Sequence, residues 1–298
     1  MNPRDNGTRP VLLAAAGSGD APASCEIAQL VAKHLGAELR VVSVVEPVLV
    51  PGFPPEFRDE AMTADQASLA ARAKEIKALM EREALAGVAW SSEIRLGRPA
   101  IEVCEAAQAL NAEMIVVGAN PQRRVRRIVS GRRAAQILHL ADVPVLSVAP
   151  WLHNLPRRIV AGIDFQPASL HAAEAAAKIM QKGGTLKLVH VLPLSFIYPS
   201  PQNERDAALR ARALRDLEAV AEKMRASIPE GCTIECLTLD GNAADELLNL
   251  AERDRADIVA TGTRGESAIR RAFVGSVATE VFHSAMVSVL ASPGPRDK

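Results

Sequence analysis

Short apolar runs alternate along the chain with longer stretches in which apolar residues recur every three or four positions. The short runs are rich in β-branched residues, as in MIVV at 114–117 and IVAT at 258–261. Consecutive apolar positions are typical of strands covered on both faces, and their alternation with helical stretches indicates βαβ units around a parallel sheet. The pattern predicts strands at 11–16, 38–45, 88–96, 114–118 and 143–148, and again at 158–163, 185–191, 233–239, 258–262 and 287–291.

Two of the longer stretches carry an apolar stripe at helical spacing. Such spacing predicts amphipathic helices whose stripes pack into a core. The stripe residues are Leu69, Ala73, Ile76 and Met80 in the first stretch, and Leu209, Ala213, Leu217, Val220 and Met224 in the second.

The chain is an internal repeat. Residues 95–120 align with residues 238–264, and each segment has a glycine, a helical run, an acidic residue, an apolar run and a second glycine. Gly118 and Gly262 are 144 residues apart, as are Gly131 and Gly275. Self-similarity on this scale indicates a tandem duplication. We therefore predict two domains, at 1–150 and 155–298, joined by a linker near 151–158.

Composition excludes several classes of function. Lys plus Arg and Asp plus Glu balance at 35 each, and aromatic residues make up 3% of the 298 residues. The chain therefore lacks the overall positive field and the stacking platforms that favour nucleic acid as a partner. No apolar run approaches the ~20 residues of a membrane helix, and the first residues lack the apolar core of a signal peptide. We expect a cytoplasmic protein with no membrane partner.

Cysteines and histidines do not form a metal-site pattern. The four cysteines include no C-x-x-C pair, and Cys232 and Cys236 fall in one strand-like run. At ~3.3 Å per residue they would lie about 13 Å apart on that strand, too far for a disulfide. We expect small buried apolar side chains at these positions and assign no metal ligand.

Residues 262–276 carry chemistry suited to phosphate. They follow an apolar strand pattern and precede a helical stretch. Glycines permit turns that are closed to other residues and let main-chain N–H groups approach an anion. The Ser276 hydroxyl and the positive end of the following helix dipole add to this capacity. The spacing is Gly262, two residues, Gly265, nine residues, then Gly275 and Ser276.

Charged residues near this loop have two interpretations each. Arg264, Arg270 and Arg271 could neutralise phosphate charge, and the alternative is a solvated charge run, which is favoured for Arg270 and Arg271. Asp164 ends the first strand pattern of the same half, and at a switch point between the first and fourth strands its carboxylate would meet Gly262 across one crevice. There it could accept from a ribose hydroxyl or a base amine. The alternative is that Asp164 caps the following turn or helix.

On these residues the chain resembles the universal stress protein family, and in particular its tandem two-domain members. The resemblance covers essentially the whole chain and rests on the G-x2-G-x9-G-[ST] motif of residues 262–276. It implies two Rossmann-like α/β domains, each a five-stranded parallel sheet of order 3-2-1-4-5 with helices on both faces. In motif-bearing members it implies bound ATP, which Mg²⁺ can accompany, and pairing of domains into a dimer. Implied ligand contacts are Asp164 and Val191 for adenosine, and Gly262, Gly265, Gly275, Ser276 and Val277 for ribose and phosphates.

The first half departs from this motif. Pro121 stands where the second half has Gly265, Arg132 where it has Ser276, and Ala16 where it has Asp164. Proline removes a backbone donor and fixes φ, so we predict one nucleotide site per chain. The substituted loop is basic, which favours a solvated loop, with an anion or an acidic partner surface as the alternative. Its arginines are Arg123, Arg124, Arg126, Arg127, Arg132 and Arg133.

Known catalytic motifs do not occur in the chain. It lacks G-x-x-x-x-G-K-[ST], G-x-G-x-x-G, kinase HRD and DFG sets and a G-x-S-x-G elbow, and no catalytic residue is assigned. We expect a stress-response regulatory protein, a homodimer with an unidentified protein partner, in which ATP biases conformation or assembly. The alternatives are an interaction module that has lost nucleotide binding, and a slow ATPase.

Overall fold

The structure, a computed structural model, describes residues 8–15, 22–48, 58–119, 130–193, 204–263 and 275–295, without the side chains of 130–132 and 204–206. The chain divides into two compact units. The first holds residues 1–141 and 147–153, and the second holds residues 142–146 and 154–298. The predicted domain bounds of 1–150 and 155–298 stay a prediction.

The sheet of the first unit has the strand order β3-β2-β1-β4-β5. Strand β1 runs parallel to β2 and β4, and β2 runs parallel to β3. The strands are Val11–Ala15 (β1), Leu39–Val45 (β2), Trp90–Leu96 (β3), Met114–Gly118 (β4) and Val145–Val148 (β5), and the helices are Pro22–Leu35 (α1), Arg58–Glu83 (α2), Pro99–Ala109 (α3) and Ser130–Leu140 (α4).

The sheet of the second unit repeats this plan, with the strand order β10-β9-β6-β7-β8. Each neighbouring pair of strands in it is parallel. The strands are Arg158–Gly162 (β6), Thr185–Leu192 (β7), Thr233–Asp240 (β8), Ile258–Gly262 (β9) and Ser288–Ser292 (β10), and the helices are Pro167–Lys178 (α5), Glu204–Met224 (α6), Ala243–Arg253 (α7) and Ser276–Ser284 (α8).

Helices cover both faces of the second sheet, as the glycines at its carboxyl edge demonstrate. A Cβ on Gly262 would lie 2.6 Å from the amide nitrogen of Ser169 in α5. A Cβ on Gly162 would instead lie 2.7 Å from Leu247 Cδ1 in α7. One buried cluster fills the α7 and α8 side, comprising Val160, Val189, Ala244, Leu247, Leu250, Ala251, Ala256, Val259, Val281 and Val289.

The predicted fold class is confirmed. Both units are α/β, the order 3-2-1-4-5 occurs in each, and every predicted strand is present with ends within about two residues of the prediction. The apolar runs succeed as predictors because helices bury both faces of these parallel strands.

Of the predicted stripe residues, Ala73 and Leu209 are exposed, and Leu69 and Val220 are only partly buried. Ala73 in α2 is exposed, because the inward-facing stripe runs through the partly buried Arg72 and the buried Ile76 and Met80. Arg72 directs its guanidinium to Ser43 Oγ at 3.3 Å, so a polar residue occupies the stripe position. Leu209 in α6 is 47% exposed. Residues 207–212 of α6 are all exposed, and Ala213 is the first buried residue among the described side chains of this helix, so its start does not face the core.

All four cysteines are free thiols, but the predicted burial holds for Cys25 alone. Cys104, Cys232 and Cys236 are partly exposed, and Cys236 lies in the edge strand β8. Cys25 is 1% exposed, and desolvation by burial raises its pKa to about 11. The thiol is therefore protonated at neutral pH and acts as a small apolar group. Among the described residues, no helix is both long and apolar enough to cross a membrane.

Candidate functional site

The switch point of the second sheet lies between β6 and β9. Ile159 pairs with Ile258 and Ala161 with Ala260, so Ile163 follows in register with Gly262, and Asp164 comes one residue later. Strand β6 pairs with β7 on one side and with β9 on the other, so the winding of the sheet reverses between β6 and β9. Crevices at such points receive ligands in open parallel sheets. The topology therefore brings the ends of β6 and β9 together as the sequence predicted.

Asp164 forms a turn at this edge. Its Oδ1 accepts a hydrogen bond from the backbone N–H of Gln166 at 3.0 Å, and its own N–H donates to Ser169 Oγ at 3.2 Å. Asp164 therefore caps the following turn through its side chain, which is the alternative that the sequence offered. The residue is nevertheless exposed, so its carboxylate also faces solvent at the carboxyl edge.

Phe165 lies beside Asp164 in an uncommon backbone conformation. Its φ is 65°, in the left-handed region that side chains with a Cβ rarely adopt. Its ring contacts that of His190, with centroids 4.8 Å apart. His190 Nδ1–H donates to the carbonyl oxygen of Ile163 at 2.7 Å, since a carbonyl can only accept. His190 is therefore a packed strand residue that fixes the end of β6, consistent with the sequence interpretation.

Val191 and Val277 lie on one face of the sheet. Both are partly buried and both pack against the apolar cluster under α7 and α8. Val191 is the next-to-last residue of β7, and Val277 belongs to the first turn of α8. The two valines predicted to contact a ligand therefore share the α7 and α8 face, next to Gly162, whose missing Cβ leaves room for Leu247.

Backbone hydrogen bonds close the base of the predicted phosphate loop. The N–H of Gly275 donates to the carbonyl oxygen of Thr263 at 2.6 Å, and the N–H of Thr263 donates to that of Ser292 at 2.8 Å. Thr263 is 3% exposed. The two described ends of the loop are therefore joined to each other and to the end of β10.

The amino-terminal end of α8 is suited to an anion. Its N-cap is Gly275, no side chain caps it, and the first turn contains no acidic residue. Helix α7 in the same unit is the opposite case, because Asn242 caps it by accepting from the N–H groups of Ala244 and Asp245, and its first turn holds Asp245 and Glu246. First-turn N–H groups and the positive helix end favour negative charge. The amino-terminal N–H groups of α8 are therefore available to an anion. Those of α7 are already bound by its own cap, and its first turn carries negative charge.

Conformational freedom, which the sequence suggested as the reason for glycine in this loop, does not explain Gly262 or Gly275. Gly275 has φ −55° and ψ 144°, values that any residue adopts. A Cβ there would find Thr263 O at 3.6 Å, an ordinary contact. Gly262 is required for a different reason, since its Cβ would lie 2.8 Å from the carbonyl carbon of Ala168. Close approach of β9 to α5 therefore explains this glycine.

Several predicted positions lie outside the described residues. They are Arg264 and Gly265 of the loop, Arg270 and Arg271, and, in the first unit, Ala16, Pro121, Arg123, Arg124, Arg126 and Arg127, together with the side chain of Arg132.

Arg133 of the first unit stands at the position of Val277, 144 residues earlier. Its guanidinium forms an ion pair with Glu46, with Nη2 at 2.6 Å from Oε1. Glu46 directly follows β2, and Arg133 lies in α4. In the first unit, an ion pair therefore lies at the carboxyl edge and places a charge where the second unit has the apolar Val277, whereas the register equivalent of Val191 is the apolar Val44.

Shifted pKa values occur away from this edge. The hydrogen bond to Asp254 raises the pKa of Lys187, and the same bond from Lys187 lowers the pKa of Asp254. Asp254 follows the carboxyl end of α7, at the opposite edge of the sheet from Asp164. Within the described part of the chain, no group of three or more potential metal ligands occurs.

Sequence reasoning missed three residues at this edge, namely His171, Thr263 and Ser292. His171 Nδ1 and Ser292 Oγ are 2.7 Å apart. Thr263 adjoins the predicted motif and could have been found as the residue after Gly262. His171 and Ser292 are 121 residues apart, and no motif relates them.

Comparison with known proteins gives consistent relatives. The model of the universal stress protein family matches residues 7–149 and, separately, residues 156–293. A universal stress protein of Thermus aquaticus is 34% identical over 140 residues, covering 46% of this chain and 96% of that protein. One of Methanocaldococcus jannaschii is 29% identical over 146 residues, covering 48% and 85%. A solved universal stress protein of Archaeoglobus fulgidus has the same fold, with a TM-score of 0.65 at 20% identity over 98% of each chain.

Proposed function

The chain belongs to the universal stress protein family, and on that premise we propose that its second unit binds an adenine nucleotide such as ATP. The proposed site is the carboxyl edge of β6, β7 and β9 with the first turn of α8. Its residues are Asp164, Val191, Gly262, Gly275, Ser276 and Val277, with Arg264 and Gly265 added from the sequence.

The observation that carries the proposal is the uncapped, acid-free start of α8. Gly275 provides no side chain to compete for the first-turn N–H groups, and Ser276 at the next position adds an exposed hydroxyl donor. Negatively charged phosphate suits such a terminus, because the N–H groups and the helix dipole act together. Mg²⁺ bound to nucleotide typically keeps phosphate and water oxygens as ligands, so the proposal needs no protein cage for it.

The adenosine end of the proposed ligand would lie toward β6 and β7. Asp164 offers an exposed carboxylate, of which Oδ1 already accepts from Gln166 N–H. The second oxygen is suited to a ribose hydroxyl or a base amine, both of which donate. Val191 provides an apolar contact for a purine ring.

We infer that the first unit does not share this activity. Arg133, which pairs with Glu46, puts a charge where the second unit has the apolar Val277, and Pro121 and Arg132 replace loop residues of the motif. One nucleotide per chain would then bias conformation or assembly in a stress response. The cytoplasmic location, the homodimer and an unidentified protein partner stay predictions.

The test combines mass spectrometry with titration calorimetry. Small molecules released from the denatured purified protein identify any retained nucleotide, and ATP and ADP are then titrated into ligand-free protein with and without Mg²⁺. We expect one binding event per chain. Binding that is absent at nucleotide concentrations of about 1 mM, where affinities as weak as ~4 kcal/mol are detectable, would contradict the proposal.

Three variants locate the site. Asp164→Asn keeps an oxygen for the Gln166 N–H and replaces the second acceptor with a donor, so we expect about a tenfold loss of affinity with the turn intact. Ser276→Ala removes the hydroxyl and should cost about the same. Arg133→Val, the matched change in the first unit, should leave both affinity and stoichiometry unaltered. Equal losses in all three variants would place the ligand elsewhere.

A further inference from the structure

A series of hydrogen bonds runs from the partly buried His171 of α5 to the base of the predicted phosphate loop. His171 in α5 shares a 2.7 Å hydrogen bond with Ser292 Oγ, the proton lying on either atom according to the imidazole tautomer. Ser292 is 0% exposed, and its hydroxyl also accepts from Gly294 N–H at 3.2 Å. The series continues through backbone atoms, since Ser292 O accepts from Thr263 N–H at 2.8 Å.

This series of hydrogen bonds ends at Thr263 and Gly275, the two described residues that flank the predicted phosphate loop. Thr263 O accepts from Gly275 N–H at 2.6 Å, so Thr263 connects the end of β10 with the residue before α8. The same helix α5 bears on Gly262, because the Ser169 nitrogen and the Ala168 carbon would lie within 2.8 Å of a Cβ there. Asp164 N–H donates to Ser169 Oγ at 3.2 Å. The start of α5 therefore contacts both sides of the proposed nucleotide crevice.

The first unit retains the backbone part of this arrangement without the side chains. Ala119 N–H donates to Val148 O at 2.7 Å, which matches Thr263 and Ser292 at a distance of 144 residues. Val148 has no hydroxyl. The segment PAS begins α1 at Pro22 and occurs again at the start of α5, and this alignment puts Glu26 at the position of His171. Glu26 pairs instead with His153, an exposed residue beyond β5, at 2.8 Å.

We propose that His171 is a positioning residue, which acts through Ser292 to hold the base of the nucleotide loop at a fixed distance from Asp164. The inference rests on the proposed function for its ligand, while the anchor itself is a property of the free protein. The hydrogen bond restricts the geometry of both residues, because Ser292 is buried and its hydroxyl would find no water to replace His171 if the bond broke. The anchor would pre-organise Thr263 and Gly275 before nucleotide arrives, which lowers the ordering cost of binding.

Amide hydrogen exchange of the ligand-free full chain tests the anchor. We expect His171→Ala and Ser292→Ala to speed exchange of the Thr263 and Gly275 amides by about tenfold, the effect of losing roughly 1.4 kcal/mol of local protection. His171→Asn, which restores a polar nitrogen close to the position of Nδ1, should recover most of the protection. Glu26→Ala is the matched control in the first unit and should leave both amides unchanged.

Nucleotide titration of the same variants separates positioning from mere structure. We expect His171→Ala to weaken ATP binding by about fivefold and His171→Asn to restore it, with thermal unfolding similar in both. Unchanged exchange in His171→Ala and Ser292→Ala overturns the anchor. Faster exchange with unaltered ATP affinity overturns the positioning role. If the wild type binds no ATP, the proposed function fails, and the exchange result alone then decides whether the anchor exists.

Discussion

In both units, a side chain of the second strand donates to an equivalent carbonyl group at the end of the first strand, on the last residue of β1 and on the residue directly after β6. Ser43 Oγ donates to Ala15 O at 2.7 Å in the first unit, and His190 Nδ1–H donates to Ile163 O at 2.7 Å in the second. The registers make the two positions equivalent, since Val11 pairs with Leu39 and Ile159 with Leu186. A hydroxyl and an imidazole thus perform one structural task.

The neighbours of these two side chains differ. Ser43 Oγ receives Arg72 Nη1 at 3.3 Å, so the first unit continues into charged residues. His190 contacts the ring of Phe165, whose φ of 65° costs of order 1–3 kcal/mol. Strain of this kind beside Asp164 is typical of positions where function constrains the backbone. The comparison shows that the duplicated backbone is shared, whereas the chemistry of the edge is set by a few side chains.

The largest effect is expected at Gly262, which the first unit retains as Gly118. Gly262→Ala should lower the free energy of unfolding by about 3 kcal/mol, since the new Cβ would press on backbone atoms of α5 that cannot move aside. Gly275→Ala, with its nearest atom at 3.6 Å, should change it by less than about 0.5 kcal/mol. Urea unfolding without nucleotide measures both.

A large loss of stability in Gly262→Ala would show that helix packing requires this glycine. Packing alone would then explain why the first unit, which we propose binds no nucleotide, has Gly118 at the same position. Gly118→Ala in the first unit is the matched variant. Equal stability of Gly262→Ala and Gly275→Ala would contradict the steric explanation.

An intermediate effect is expected at the helix that follows the third strand of each unit. Asn242 caps α7 through two backbone N–H groups, whereas Arg98 at the start of α3 makes no side-chain cap. Asn242→Ala should therefore cost about 1 kcal/mol, and Arg98→Ala should cost close to nothing. Hydrogen exchange of the α7 and α3 amides compares the two directly. A cost at Arg98 as large as that at Asn242 would show that the caps do not distinguish the units.

The smallest effect concerns Lys187 and Asp254, an ion pair at 2.7 Å with about a fifth to a quarter of each side chain exposed. Arg40 stands at the position of Lys187 in the first unit and pairs with Glu38 at 3.3 Å, and Leu110 replaces Asp254 at the end of α3. Asp254→Asn should therefore cost about 1 kcal/mol or less at pH 7, and Glu38→Gln still less.

The pH dependence of this pair has a definite sign. The hydrogen bond from Lys187 lowers the folded-state pKa of Asp254, so its stabilisation is present above the unfolded pKa of ~3.9 and is lost as pH falls through the folded pKa. The folded pKa of Lys187 is raised, so its contribution is present below ~10.4 and is lost as pH rises through the folded pKa. Urea unfolding of wild type and Asp254→Asn should converge as pH falls below the lowered folded-state pKa of Asp254. A difference that persists there would exclude the ion pair as its cause.

The sequence predicted the fold well because helices cover both faces of these parallel strands, and this burial is what makes their sequences continuously apolar. It failed at Ala73, since a period of 3.6 does not decide between neighbouring stripe positions and Arg72 found a polar partner in Ser43. Asp164 had two interpretations, and its backbone turn is compatible with both. His171 and Ser292 could not be predicted, because their contact depends on how α5 packs beside β10 and each residue is ordinary in its own segment.

The ion pair of Arg133 and Glu46 bears on how this sequence can drift over evolutionary time. About half of each side chain is exposed, so losing one partner leaves a charge that water solvates at little cost. We therefore expect Arg133 and Glu46 to be substituted one at a time, without a compensating change in the partner residue. At Gly262 the backbone of α5 leaves no room for a Cβ, and any replacement would need a compensating change in the helix first. Homologues with the same duplication should therefore vary early at the charged edge of the first unit and late at this glycine.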